Sequence, residues 1–518
     1  MIRLLSPRFI GGVTTPRTVI YLIAIAVAIL IAILPLPIAA GLVGIGAAVI
    51  LAIINPLSGL GLALLLGPFG ALEAIVFGPT LLDSGQVALM LTFAAWIGTG
   101  LARRRLRIPH TYFNIPWLLF VLIATLSLLD AYSVTLGLVE LLKWLEIGLI
   151  VWLILDMASD PERRPGGYAA VMRLILVMLL FAGLIQALIG IWQFGLRGDG
   201  PEHFLVLGRF YRAYGTFEQP NPFGGYMNLV AFTGLGLLLG LLVAWWGGKR
   251  EGANNGFLRP RGAWIALASV AAGASSLAVV LSWSRGAWLG FLAGAAVLAL
   301  FSTRRIAAGL VLMAAALALA VGGLMIGVMA GIGPAEAVTE RLGGFREEFT
   351  LGDVRGVDIN DANYSVIERL AHWQAATGMA RDDLWTGTGF GNYAAAYSDY
   401  DLINFPDALG HAHNYYLNLL AEVGVPGLLV YLLFWVIIIG QSIWLAQRAA
   451  WPERGIIVGL LAAWTALAVH HLVDKLYVNN IYVHLGAMIG LLQLFAWPGF
   501  WVKLQRGRSG EHLEAGER

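Results

Sequence analysis

Residues 411–446 read HAHNYYLNLLAEVGVPGLLVYLLFWVIIIGQSIWLA, and they combine a polar cluster with a long apolar run. No residue from Leu428 to Ala446 is charged, and about 20 such residues suffice to cross a bilayer as a helix. Two histidines, two asparagines and Glu422 stand in front of that run. The stretch therefore predicts a transmembrane helix with a cluster of polar side chains at its N-terminal end.

The whole chain shares this apolar character. Of its 518 residues, 59% are hydrophobic and 12% are charged, and the mean hydropathy is +0.77, whereas soluble domains carry about 25% charged residues. Apolar runs recur from end to end, so we predict an all-α polytopic membrane protein with about 12–14 transmembrane helices. The run beginning near Thr18 lacks a small-residue cleavage site, and we expect no cleaved signal peptide.

The predicted spans follow the apolar runs. They lie at 18–36, 38–55, 60–78, 86–102, 114–131, 135–157, 168–193, 224–246, 264–281, 286–301, 306–330, 420–446, 455–473 and 480–498. The regions that follow are N-terminal transmembrane helices (1–193), transmembrane helices with arginine-bearing outer loops (194–330), a long extracytoplasmic loop of short helices (331–413), C-terminal transmembrane helices (414–498) and a cytoplasmic tail (499–518).

Basic clusters give the orientation, because short clusters of Lys and Arg tend to stay in the cytoplasm. Such clusters occur near the N-terminus, at 103–107, at 163–164, between 249 and 261, at 304–305, at 448–454 and at 503–508. One orientation, with both termini in the cytoplasm, places all of them on that side. The polar segments 194–223, 282–286, 331–410 and 475–479 then lie outside.

Two of these outer segments carry arginines. In GRFYRAYGTFEQPNPFGGY (208–226), Arg209 and Arg212 either face lipid phosphates at the interface or form a fork that binds a phosphate-bearing substrate. In LSWSRGAWLGF (281–291), Arg285 lies in a short outer turn where arginine is disfavoured. We therefore expect Arg285 to pair with an anion, in a structural ion pair or in a substrate.

The opening stretch is the third polar group. On a continuous helix, Asn414, Asn418 and Glu422 share one stripe, and His413 projects from nearly the opposite side. Glu422 lies about 13 Å along the axis from His413, so it cannot orient that ring unless the helix breaks. A lone interfacial histidine is ordinarily structural, but Asp474, near the outer end of a later span, could orient His413.

Other titratable residues give weaker signals. Glu140, Lys143 and Glu146 are three apart on one predicted helix, where they can neutralise one another or line an ion pathway. The acidic segment DVRGVDINDAN (353–363) lacks the Asp spacing of a calcium loop. The chain has no cysteine, which excludes thiolate metal sites, and its net charge of +2 gives no reason to expect a nucleic-acid partner. We predict no metal site and no cofactor.

Five segments together resemble the O-antigen ligase and O-antigen polymerase superfamily of bacterial membrane glycosyltransferases. His413-Asn414, nine residues, then Gly424-Val-Pro-Gly427 is similar to the ligases' His-Asn…Gly-x-x-Gly pattern. RAYGTFEQPNPFGGY, SWSRGAW, ERLAHWQAATGMARDDLWTGTGFGNY and HHLVDK resemble further segments in the family's order. The resemblance covers roughly residues 200–490.

The resemblance implies an activity. Such enzymes move a glycan from an undecaprenyl diphosphate carrier to an acceptor hydroxyl at the outer face of the bacterial cytoplasmic membrane. His413 would be the general base, and Arg285 and Arg212 would stabilise the leaving diphosphate. The residues given substrate-binding roles are Arg209, Asn221, His411, Asn414, Arg369 and Asp474. The expected partners are the carrier-linked glycan, membrane lipids and a lipid, protein or polysaccharide acceptor.

Alternatives remain at this stage. The spacing of the His-Asn motif favours a ligase, but a polysaccharide polymerase or a protein O-oligosaccharyltransferase of the same superfamily is the second reading. A lipid-linked sugar flippase belongs to another class. It should concentrate polar groups near the middle of the membrane, whereas most of them here gather at the outer ends of the predicted spans.

Overall fold

The computed structural model describes residues 36–78, 82–159, 167–246, 258, 261–330, 333, 335–339, 353–359, 363–402 and 404–496. The predicted span 18–36 lies outside the described residues except for its last position. The basic clusters near the N-terminus and at 163–164, and the predicted tail 499–518, also lie outside them.

The described chain is a succession of helices. The first half contains α1 (Leu36–Ile54), α2 (Pro56–Leu66), α3 (Gly70–Phe77), α4 (Ser84–Ala102), α5 (Asn114–Leu126), α6 (Val134–Ser159), α7 (Gly167–Gly195) and α8 (Pro220–Trp246). The second half contains α9 (Arg261–Leu281), α10 (Arg285–Phe301), α11 (Ile306–Met329), α12 (Tyr364–Asp382), α13 (Tyr393–Ala396), α14 (Tyr415–Arg448), α15 (Glu453–His470) and α16 (Ile481–Ala496). A two-stranded antiparallel hairpin, β1 (Leu205–Val206) and β2 (Phe210–Tyr211), precedes α8.

The prediction of an all-α polytopic membrane protein is confirmed. Each predicted span from 38–55 onward overlaps a described helix. Within the described residues, eight helices are long and apolar enough to cross a membrane, and the shorter apolar helices are Asn114–Asp130, Arg285–Phe301 and Ile481–Ala496. The chain is therefore a multi-pass membrane protein.

Helices α8 and α15 form a closely packed pair in the bundle. Gly236 and Gly240 of α8 meet Gly455 and Gly459 of α15 so closely that an added Cβ would collide with the opposing backbone. Two small residues four apart on each helix allow this approach, which favours packing inside a membrane. The pair fixes the end of α15 beside the start of α8, and both ends carry residues of the predicted site.

Helix α14 breaks inside the Gly-x-x-Gly motif. Gly424 has φ 64° and ψ −171°, and Pro426 lacks an N–H group. The break frees backbone groups for another segment: Val425 N–H donates to the Leu384 carbonyl and Thr388 N–H donates to the Ala421 carbonyl, both at 2.9 Å. The kink therefore fastens the segment after α12 to α14.

Helix α12 is the principal described element of the long loop 331–413. Short helices were predicted in this loop: α12 is one, and residues 335–339 are also helical. One face of α12 packs on α13 and α14 through Ala375, Ala376 and Met379, and this packing places α12 over the start of α14.

Candidate active site

Three titratable side chains, the His–Asp cluster of His411, His413 and Asp474, meet where α14 begins and α15 has ended. His411 Nε2 lies 3.6 Å and His413 Nδ1 lies 3.9 Å from Asp474 Oδ1. The Tyr415 N–H donates to the His471 carbonyl at 2.8 Å, which fastens the two helix ends together. Both distances are longer than a normal hydrogen bond. A small movement would therefore be enough for Asp474 to bind and orient the His413 ring.

His411 already uses one of its ring nitrogens. The backbone N–H of His413 donates to His411 Nδ1 at 3.1 Å. Nδ1 is therefore an acceptor, and the hydrogen-bond network assigns the proton of the neutral ring to Nε2, which faces Asp474. A substrate proton finds no free acceptor nitrogen on this ring, so His411 is the weaker candidate for a general base.

His413 has both ring nitrogens available. Among the described residues neither Nδ1 nor Nε2 has a hydrogen-bond partner, and both atoms are buried. With its Nδ1–H directed towards Asp474, Nε2 carries the lone pair that can accept a proton. The backbone of His413 has φ 50°, a strained conformation for a non-glycine residue and one that concentrates at functional sites.

His372, which the sequence did not single out, packs beside His413. The two ring centroids are 5.6 Å apart. His372 Nδ1 lies 2.9 Å from the Tyr393 hydroxyl, which donates to the His372 carbonyl at 3.2 Å. The indole N–H of Trp373 donates to the His413 carbonyl at 3.4 Å. Helix α12 thus supports His413 from one side, and the available sequence signal was a histidine on the same helical stripe as Ala375, Ala376 and Met379.

Arg212 is linked to the cluster through Asn221. Its Nε donates to the Ser282 carbonyl at 3.0 Å, and its Nη2 donates to Asn221 Oδ1 at 3.3 Å. The Asn221 side chain in turn lies close enough to Asp474 to lower the pKa of that carboxyl. These contacts join the loop before α8, the turn before α10 and the segment after α15. The structure therefore brings Arg212 and Asn221 to Asp474.

Arg285 is placed by close packing. It is the first residue of α10, and the following Gly286 lies so close to His470 and Val473 that an added Cβ would meet the His470 ring at 2.6 Å. Arg285 is half-buried at this junction. The start of α10 is therefore pressed against the segment that leads into Asp474.

Arg369 reaches the cluster electrostatically. It is half-buried on α12, and its charge acts on Asp474, His411 and His413. Arg369 thus acts on the cluster directly, Arg212 is linked to it through Asn221, and Arg285 begins the helix that packs against the segment leading into Asp474.

Two predicted substrate ligands have other described contacts. Arg209 is exposed, and its guanidinium carbon lies 4.4 Å from the centroid of the Phe210 ring. Asn414 is the N-cap of α14, because its side-chain oxygen accepts from the N–H groups of Tyr416 and Leu417. The described contacts do not join Arg209 to the cluster, and Asn414 orders the helix that begins next to His413.

A buried ion-pair network supports the Asp474 segment. Lys143 Nζ lies 2.6 Å from Glu140 Oε2, and Lys475 Nζ lies 3.0 Å from Glu140 Oε1. The expected neutralisation on α6 is thus completed by Lys475 from another segment. The Lys475 N–H also donates to Asp474 Oδ1 at 2.8 Å, so the network holds the carboxylate that faces both histidines.

The chain was then compared with known proteins. Residues 267–432 match the family model described as O-antigen ligase. The match supports the O-antigen ligase superfamily, which the sequence motifs resemble. No curated protein matches the chain. The match runs from α9 to the first half of α14, so it includes Arg285, Arg369, His411 and His413.

This match supports an O-antigen ligase- or polymerase-type membrane glycosyltransferase. It also implies, in general terms, a lipid-linked glycan and a polysaccharide acceptor as partners. Arg212, Asn221 and Asp474 lie outside the matched segment, and the fold brings them to the histidines within it.

Burial sets the protonation of the His–Asp cluster. It lowers the pKa of His411 to about 3, with a further lowering by Lys475. Burial, together with His411 and Arg369, holds the pKa of His413 well below its ordinary value. Burial raises the pKa of Asp474 to about 6, despite the opposing hydrogen bond from the Lys475 backbone and the charge of Arg369. Near neutral pH, both imidazoles are uncharged and the carboxylate is largely ionised.

The His–Asp cluster could hold a divalent cation, which the sequence spacing did not indicate. One ligand atom from each of His411, His413 and Asp474 lies within 4.8 Å of the others, and neutral imidazoles with a carboxylate are common transition-metal ligands. However, Arg369 and Lys475 add positive charge beside the same groups. That field disfavours a cation and favours an anionic group such as a diphosphate.

Proposed function

We propose that this protein transfers a glycan from an undecaprenyl diphosphate carrier to an acceptor hydroxyl at the outer face of the bacterial cytoplasmic membrane, as a ligase. The observation that carries the proposal is His413, a half-buried imidazole whose buried nitrogens have no hydrogen-bond partner among the described residues, beside Asp474. Arg369 acts on the same groups, and Arg212 is linked to them through Asn221. The arrangement offers a proton acceptor and an anion-binding site in one place.

In the proposed reaction, the acceptor hydroxyl oxygen attacks the anomeric carbon of the carrier-linked sugar. The bond from that carbon to the diphosphate oxygen breaks, and the diphosphate keeps the electron pair. His413 Nε2 accepts the hydroxyl proton, and Asp474 stabilises the imidazolium that forms. Because positive charge develops on His413 in the transition state, an ionised Asp474 stabilises that state.

The leaving diphosphate is assigned to the arginines. Negative charge develops on it as the bond breaks, and preorganised guanidinium groups in a water-poor site stabilise such charge strongly. Arg212 is fixed by the Ser282 carbonyl and Asn221, and Arg285 is fixed at the start of α10. Arg369 is the third candidate. A planar guanidinium can bind two phosphate oxygens at once.

Glycolipid profiling of a deletion strain tests the proposal. A ligase deletion should accumulate full-length polymer on its carrier. Single carrier-linked repeat units would instead identify a polymerase, and loss of glycan from proteins would identify a protein O-oligosaccharyltransferase. An unchanged set of carrier-linked glycans on the outer leaflet would contradict glycan transfer altogether.

The proposed reaction predicts a pH dependence. As pH falls through about 6, Asp474 takes up a proton and loses the charge that stabilises the His413 imidazolium. We expect kcat/KM to fall below about pH 6, since the groups facing Asp474, namely His411, Arg369 and Asn221, do not gain a compensating negative charge. Asp474→Asn should have a lower kcat/KM that no longer falls below about pH 6. If kcat/KM of that variant falls in the same way as in wild type, the titrating group is not Asp474.

The proposed orientation predicts a labelling pattern. Cysteines introduced at the exposed residues Glu202 and Asp358 should react with an impermeant thiol reagent in cells whose outer membrane, if present, has been opened. A cysteine at Asn254, on the predicted cytoplasmic side, should not react. The background is clean because the chain has no cysteine. Labelling at Asn254 alone would invert the orientation.

We also predict that transfer needs no divalent metal, because the arginines can supply the charge that a cation provides in other enzymes. Purified protein with carrier-linked donor and acceptor should turn over in excess EDTA. If chelation stops turnover and one specific cation restores it, the His–Asp cluster becomes the candidate ligand set.

A further inference from the structure

A cleft of about 570 Å³ lies beside the His–Asp cluster, on the side of α12 that faces away from the bundle core. Residues of one stripe of α12 form its wall, and Asp353, Arg355 and Tyr400 close it. Its volume falls within the range of small-molecule sites, about 300–1,000 Å³. The mechanism proposed above does not use these side chains.

The cleft adjoins the residue proposed as the base. Trp373 lines the cleft and its indole N–H donates to the His413 carbonyl at 3.4 Å. Leu417, one helical turn after His413, lines it as well. A molecule in the cleft would therefore have one end next to the start of α14, where the reacting groups are proposed to meet.

The lining combines aromatic rings with planar polar groups. The Tyr400 ring lies against the helix at Gly378, where an added Cβ would meet it at 2.9 Å. Arg355 makes a bidentate pair with Asp353, with Nη2 and Oδ2 2.6 Å apart, and Gln374 Nε2 donates to Asp353 Oδ1 at 3.2 Å. These groups present donors and acceptors in fixed directions next to apolar ring surface.

We propose that this cleft is a saccharide subsite that binds sugar residues of a glycan during transfer. A sugar ring has an apolar face that can pack on an aromatic ring, and hydroxyl pairs that planar carboxylate, guanidinium and amide groups can bind. A lipid tail, in contrast, has no group that could hydrogen-bond Asp353, Arg355 or Gln374. The inference rests on the proposed function and adds the location of the glycan chain.

The bound saccharide belongs either to the acceptor or to the donor, and kinetics distinguish the two. Gln374→Ala and Arg381→Ala both remove cleft-lining side chains. Arg448→Ala, which removes an exposed arginine at the far end of α14, is the control. The loss of one or two hydrogen bonds should raise the affected KM by about tenfold in the double variant, with kcat little changed. A higher acceptor KM assigns the cleft to the acceptor, and a higher donor KM assigns it to the donor.

A binding measurement separates this inference from the proposed reaction. The probe is the oligosaccharide hydrolysed from the host's own carrier-linked glycan, titrated calorimetrically into detergent-purified protein. Wild type and Arg448→Ala should bind it, and the double variant should bind about tenfold more weakly while eluting as a monodisperse, folded protein. Equal binding and equal KM values in wild type and the double variant would overturn the subsite. Binding that depends on the cleft without any glycan transfer would uphold the subsite and contradict the proposed function.

Discussion

His413→Ala should lower glycan transfer by about 10²- to 10⁴-fold, the range that a positioned acid–base group contributes. The imidazole is buried, its two nitrogens have no hydrogen-bond partner among the described residues, and Asp474 Oδ1 lies 3.9 Å from Nδ1. Loss of the ring removes the proton acceptor and leaves the arginines in place. The measurement is turnover of carrier-linked donor by purified protein, with membrane insertion and amount checked in parallel.

His411→Ala is the matched control, because the two histidines are neighbours in the same cluster. His411 accepts the His413 backbone N–H at Nδ1, so its removal should loosen the turn and reduce activity less than the loss of His413. Near-wild-type turnover in His413→Ala, together with inactive His411→Ala, would transfer the role of base to His411.

The transmembrane helices were predictable because span length and apolar composition are local properties of the sequence. The polar cluster required more. The sequence could suggest Asp474 as the partner of His413 from similar depth in the membrane, but their separation depends on how the start of α14 meets the end of α15, where the Tyr415 N–H donates to the His471 carbonyl. The sequence also gave no sign that Asn414 caps α14, because capping depends on where the helix begins.

The charge balance on α6 could have predicted a further positive residue from another segment. Glu140, Lys143 and Glu146 leave one negative charge in excess, and a buried excess charge requires a partner. Lys475 supplies that partner for Glu140, at 3.0 Å. Sequence spacing could not identify Lys475, because the contact crosses most of the chain. The sequence analysis did not identify His372 for a related reason. This residue approaches His413 only through the packing of α12 on α14.

Arg285→Lys should reduce transfer by about 10²- to 10³-fold, similar to the loss of one preorganised donor to a developing oxyanion. Lysine keeps the positive charge but replaces a planar fork with a point charge on a flexible stem. The N-terminus of α10 is held by the Ser284 side chain, which accepts from the Ala287 N–H at 3.3 Å, so the helix should begin at the same place in the variant.

The comparison that decides the role of Arg285 is with Arg305→Lys. Arg305 is exposed and precedes α11 at the opposite end of α10, so its replacement should leave turnover unchanged. The loss in Arg285→Lys should appear in kcat for the carrier-linked donor, because the diphosphate gains charge in the transition state. Wild-type kcat in Arg285→Lys would show that position 285 needs only a positive charge, and the diphosphate would then belong to Arg212 and Arg369.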